Sequence, residues 1–142
     1  MTEVNDAIEN GRSDMSDPKP NACSCCGAPT LIFACSGAAD VGAIADQAAR
    51  QLTRDGAGRM FCHAGIGGRV SGIVKTTEAA AKILAIDGCP LNCARNCLEQ
   101  AGIAKFRHLQ LADLGMEKGK TPASPEAVAK AVAAGAATLA VC

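Results

Sequence analysis

The chain has 142 residues, 49% of them hydrophobic and 20% charged, which is ample for one domain and short for two. Lys plus Arg and Asp plus Glu each total 14, so the formal charge is zero, and aromatic residues make up only 2% with no Trp or Tyr. Without clustered positive charge or stacking rings, nucleic acid is the partner least compatible with this composition.

Residues 1–22 are polar, with Pro18, Pro20, five acids against Arg12 and Lys19, and no apolar periodicity. Such a segment buries too little apolar surface to offset the entropy of ordering it. We expect a disordered tail over residues 1–29, carrying the cluster Cys23-Ser24-Cys25-Cys26, and a single domain over 30–142. Met1 to Asp6 lack a basic region and an apolar run, so no signal peptide is expected, and no stretch approaches the roughly 18 apolar residues of a membrane helix.

Leu31-Ile32-Phe33-Ala34 is a short apolar run ending in Cys35-Ser36-Gly37, which reads as a buried strand and its exit loop. Val41, Ile44, Ala45, Ala48, Ala49 and Leu52 then recur at helical spacing, and Gly56 supplies a stop. Arg59 to Cys62 reads as a second strand, followed by Gly65-Ile66-Gly67-Gly68 and a short helix around Val70, Ile73 and Val74. Lys82 to Asp87 is the clearest strand. Pro90 suits the first position of a third helix, with Leu91, Ala94, Leu98 and Ala101 inward and Gly102 at its end. A fourth strand is expected over Phe106 to Leu111, running into Asp113-Leu114-Gly115. Ser124-Pro125-Glu126 opens a last helix with Val128, Val132, Ala136 and Leu139 inward.

This strict alternation of strand and helix predicts an α/β domain with a parallel sheet covered on both faces, Rossmann-like or flavodoxin-like in its layering. The small solution of this kind has four strands in the order 2-1-3-4, with ligands bound outside the carboxyl edge where the order reverses.

Nine cysteines are the unusual entry in the composition. An odd number in a chain with no secretory signal reads as reduced thiols of a cytoplasmic protein, serving as metal ligands, redox groups or buried hydrophobes. Cys35, Cys62 and Cys89 each fall at the end of one of the first three strands, and Cys93 follows a helical turn later. Parallel strands bring these ends to one edge about 4.8 Å apart, so four thiols can converge on one ion with metal–sulfur bonds of about 2.3 Å. A helix beginning at Cys89 would favour thiolates at Cys89 and Cys93, the form that binds metals and that attacks disulfides. Both chemistries stay open on these grounds.

Asp87-Gly88-Cys89-Pro90-Leu91-Asn92-Cys93-Ala94 resembles the signature of the DGC-domain family of zinc-binding proteins. The blocks Ala34 to Gly42 and Cys62 to Gly68, and the Asp113-Leu114-Gly115 segment, match in order, so the resemblance covers residues 30–142. It implies a zinc site drawn from four cysteines, which map onto Cys35, Cys62, Cys89 and Cys93. It implies no particular reaction.

Simpler roles stand beside these. A free cysteine is often a small core hydrophobe, which suits Cys97 best, and Cys142 is terminal. Cys23, Cys25 and Cys26 are auxiliary thiols, suited to capturing a soft metal or reducing an oxidised pair. His63 is a substitute ligand for Cys62, although neighbours on a strand point opposite ways. His108 is expected mid-strand and structural. Asp87 and Asp113, closing strands on the cysteine edge, are candidates to orient the site by hydrogen bonds, and Asp40 to favour its own helix start. Gly65 to Gly68 completes no dinucleotide fingerprint, because Val70 occupies the last position.

Two functions of different classes follow. One is a Zn²⁺-binding protein whose four thiolates leave no open position, giving a structural or metal-transfer role; an iron–sulfur cluster uses the same residues. The other is a thiol redox enzyme with Cys89 or Cys93 as nucleophile and Cys35 or Cys62 as resolving partner. The expected partners are a metal ion and a thiol redox or metal-transfer protein, with no nucleic acid and no membrane.

Overall fold

The computed structural model of the protein describes residues 27–141, so the amino-terminal Cys23, Cys25 and Cys26 and the terminal Cys142 lie outside the described residues. The elements in chain order are β1 (Thr30–Ala34), α1 (Asp40–Arg54), β2 (Arg59–Met60), α2 (His63–Gly67), α3 (Ser71–Glu78), β3 (Lys82–Asp87), α4 (Cys93–Gln100), β4 (Arg107–Gln110) and α5 (Pro125–Ala140), with a 3-10 turn at Leu111–Leu114 between β4 and α5. All three strand pairings are parallel and the order is β2-β1-β3-β4, the α/β arrangement expected from the alternation of elements.

Period-two alternation sorts the side chains of the central strands into two cores. Ile32, Ala34, Leu84 and Ile86 meet Val41, Ile44, Ala48 and Leu52 of α1 and Ala131 and Leu139 of α5. Leu31, Phe33, Ile83 and Ala85 face the other way, onto Ile66 of α2 and Ala94 and Leu98 of α4. Phe33 and Phe61 add an edge-to-face pair with ring centroids 6.0 Å apart. Both faces of the sheet are therefore covered, as the unbroken apolar runs of β1 and β3 require.

Several boundaries differ from the sequence reading, each for a local reason. The helix expected from Pro90 begins instead at Cys93. Asn92 takes a left-handed conformation (φ 51°) as its N-cap residue, and the N–H of Asn92 closes a turn onto the Cys89 carbonyl at 3.1 Å. Leu91 consequently sits 64% exposed on that turn rather than on an inner helical face. The second strand stops at Met60, although Phe61 still donates its N–H to Ile32 O at 2.8 Å, and the five-residue α2 follows at once. β4 stops at Gln110, so Asp113 lies exposed on the 3-10 turn and not at a strand end.

In α5 the buried stripe is Ala131, Gly135 and Leu139, while Val128 and Val132 are half-buried and Ala136 is exposed. The small residues face α1, because a Cβ on Gly135 would stand 2.8 Å from Leu52 Cδ1. The helix ends follow their sequence signals more closely. Ser124 Oγ accepts from the Ala127 N–H at 3.2 Å ahead of Pro125, and Gly56 past the end of α1 has φ 75°.

Candidate functional site

The carboxyl edge of the sheet is built around Asp87, the last residue of β3. Its carboxylate is 1% exposed. Oδ1 accepts the Ala94 N–H at 2.8 Å, and Oδ2 accepts the Arg95 N–H at 3.0 Å and stands 2.9 Å from His108 Nε2. Two of the unpaired N–H groups at the start of α4 are thereby satisfied by a buried anion, which also complements the positive end of the helix. The arrangement fixes α4, and with it Cys93 at the first helical position.

His108 lies within β4 and half-buried, as the sequence suggested, and it belongs to this constellation through Asp87. The register pairs Ala85 with His108 and Asp87 with Gln110, so His108 shares a sheet face with Asp87 one step inward. Gln110, on the same face, donates its side-chain amide to Asn92 Oδ1 and braces the left-handed residue before Cys93. The sequence showed only two polar residues two apart in a strand, and the register supplies their match to Asp87.

Gly88 has a steric reason to be glycine. A Cβ there would meet the Val41 carbonyl carbon and oxygen at 2.7 Å, and one on Gly42 would meet Gly37 O at 2.5 Å. The loops after β1 and β3 thus touch the start of α1 backbone to backbone. This close approach brings the loops that carry Cys35 and Cys89 together.

Cys35 extends the ladder of β1, donating its N–H to Ile86 O at 3.0 Å, and its Sγ accepts the Gly88 N–H at 3.4 Å. Burial pushes the Cys35 thiol pKa up. The N–H groups of Gly88 and Gly37 partly offset this, while Asp87 and Cys93 add to it as like charges. Cys35, Cys89 and Cys93 line one cavity of about 400 Å³, walled also by the start of α1, Leu91 and Lys118. Cys35 and Cys89 are half-buried and Cys93 is exposed.

Cys62 stands apart from that wall. It is exposed and caps α2, its Sγ accepting the Gly65 N–H at 3.3 Å. His63 opens α2, so the strand has ended and alternation no longer separates it from Cys62. Its ring Nδ1 is buried without a hydrogen-bond partner among the described residues, and burial lowers its pKa against the opposing pull of Asp87. Cys97 packs half-buried against the core on the α4 side, the role its spacing suggested, with its Sγ 3.7 Å from where a Cβ on Gly67 would lie. Asp40 does more than start its helix. Its carboxylate accepts from Gly119 N (2.9 Å), Val41 N (2.8 Å) and Thr121 N (3.1 Å), and these N–H groups lower its pKa.

An all-sulfur donor set has the chemistry for zinc or another soft ion. As placed, however, no three His, Cys, Asp or Glu side chains among the described residues stand close enough together to hold a metal ion. The thiols border a common cavity without forming a preassembled centre. Among the described residues no helix is long and apolar enough to cross a membrane.

Fold and site together define a parallel α/β domain with free thiols gathered on its carboxyl edge. The chain belongs to the DGC domain family, whose model matches residues 31–134. It is also 39% identical over 88 residues to the anaerobic and virulence modulator AnvM of Pseudomonas aeruginosa, an alignment covering 62% of this chain and 67% of that protein. No solved structure matches it significantly.

Proposed function

We propose that this is a metal-handling thiol protein of a reducing compartment, the cytoplasm, in which Cys35, Cys89 and Cys93 take a soft ion, zinc before others. The observation that carries this reading is the single cavity bordered by those three thiols at the ligand-binding edge of the sheet. Cys62 is the fourth donor in this reading, and to serve it must turn away from the Gly65 N–H. The half-buried Cys35 thiol fits a site filled on demand, because it holds its proton until a cation offsets the penalty of an anion there. Asp87 orients the set by fixing α4 and takes no place in it. A site assembled around its ion suits transfer better than permanent structure.

A second reading, thiol redox regulation, has its own support. The described cysteines are all free thiols and no three donors are gathered. The relative's name ties that protein to anaerobic conditions. Here Cys89 or Cys93 is the attacking thiolate and Cys35 or Cys62 resolves the mixed disulfide.

Purification without oxygen, followed by metal analysis per chain and a visible spectrum, separates the readings. One colourless equivalent of zinc, lost in the Cys35→Ser, Cys89→Ser and Cys93→Ser variants, is the expected result. Brown colour with iron and sulfide would assign the same thiols to a cluster. No metal, with an intramolecular disulfide formed on mild oxidation, would replace the metal reading by the redox one.

A further inference from the structure

The segment 116–121 carried no assignment in the sequence, yet it contributes Lys118 to the lining of the thiol cavity. Gly115 (φ 78°) and Gly119 (φ 82°) turn it through left-handed conformations, and Met116, 4% exposed, plugs it into the α1-side core. Asp40 grips its far end through the Gly119 and Thr121 N–H groups, and Thr121 Oγ accepts the Glu117 N–H at 2.8 Å. This anchored strap sets Lys118 on the cavity wall. Lys118 also borders an adjoining cavity of about 430 Å³ that shares Gly88 and Cys89. Among the described residues it is the one charged side chain lining the thiol cavity. Its neighbour Glu117 is paired with Lys120 at 2.8 Å.

We infer that the thiol cavity takes a small anion carrying a thiol-reactive or thiol-binding centre, its charge drawn by Lys118 and that centre received by Cys89 and Cys93. The inference rests on the reading of these cysteines as the working thiols. An ammonium on a flexible stem acts as a movable point charge, and a concave wall focuses its field on the cavity. A volume of about 400 Å³ admits a small molecule and excludes a folded segment.

Iodoacetate and iodoacetamide form the test pair, alike in size and differing in charge. With each, the cysteine thiolate displaces iodide and a carbon–sulfur bond forms. Alkylation rates of the full-length protein are read cysteine by cysteine by mass spectrometry of peptides. Cys62, exposed and off the cavity wall, is the internal control. One charge about 6 Å from the anion in water is worth roughly threefold in rate.

Lys118→Gln is expected to lower the iodoacetate-to-iodoacetamide rate ratio about threefold at Cys89 and Cys93 and not at Cys62. Lys118→Arg should restore it, and about 1 M salt should erase it. Equal slowing of both reagents would overturn the inference, since Lys118 would then act on thiol ionisation alone. An unchanged ratio would overturn it as well. Metal content measured on the same samples reports on the metal reading independently: metal bound with an unmoved ratio sinks only the anion inference, and a moved ratio without metal sinks only the metal reading.

Discussion

Asp87→Asn keeps the size of the side chain and removes its charge, which tests whether this carboxylate holds α4 and Cys93 in place. The native oxygens serve different partners: Oδ1 takes the Ala94 N–H, while Oδ2 takes the Arg95 N–H and faces His108 Nε2. An amide has only one accepting oxygen. Either the buried Ala94 N–H meets an NH₂ group, or the Arg95 and His108 side does. One unmet buried donor costs about 1–3 kcal/mol, and loss of the anion at a helix start adds about 0.3–1 kcal/mol. Relief of the penalty for burying a charge returns part of that, so the expected loss is about 2–3 kcal/mol. For a domain of this size that corresponds to a fall in Tm of roughly 6–15 °C.

Urea unfolding with an unchanged slope measures the loss, and amide exchange should accelerate first at Ala94 and Arg95. A double-mutant cycle with His108→Ala sharpens the test: if His108 acts through Asp87, its removal should matter far less in the Asn background. A loss below about 0.5 kcal/mol, with Ala94 and Arg95 still protected, would refute the reasoning, because α4 would then be held by its apolar face alone.

Gly88→Ala places a Cβ 2.7 Å from the Val41 backbone, which no side-chain rotation relieves; a stability loss of about 1–3 kcal/mol in chemical denaturation is expected, together with altered reactivity of Cys35 and Cys89 toward iodoacetamide. Cys35 supplies the pH dependence. Its pKa is raised above the ordinary 9.0 in the folded chain, so the fold retains a proton that the unfolded chain releases. That contribution is complete below the unfolded value and is lost as pH climbs through the folded one, so urea midpoints of the metal-free protein should fall as pH rises past about 9, and fall less in Cys35→Ala.

Much of the fold could be read from local pattern, since buried parallel strands announce themselves as unbroken apolar runs and amphipathic helices by their spacing. The six inward positions foreseen for α1 are all buried, and the order β2-β1-β3-β4 is the common small α/β solution expected by analogy, alternation and right-handed crossovers having narrowed the topologies to a few. The helix start was misplaced at Pro90 because proline's fit at a first helical position is local, whereas the conformation of Asn92 depends on Gln110 from β4. Asp87 was visible as a strand-ending acid, but its partner His108 is 21 residues away in sequence and only sheet register brings them together.

The same division runs through the cysteines. That Cys35, Cys62, Cys89 and Cys93 belong near one edge of a sheet follows from the sequence, because each ends a strand or follows one closely and parallel strands end together. Which of them share a wall was decided by tertiary contact. Backbone-to-backbone packing at Gly42 and Gly88 draws the loops of Cys35 and Cys89 together, while α2 turns Cys62 outward onto its own helix start. Lys118 reaches the same cavity only because Asp40, 79 residues before Gly119, holds its strap. Periodicity carries information over a few residues; contacts between loops far apart in the chain are fixed by the packing of the whole domain, and these contacts shape the site.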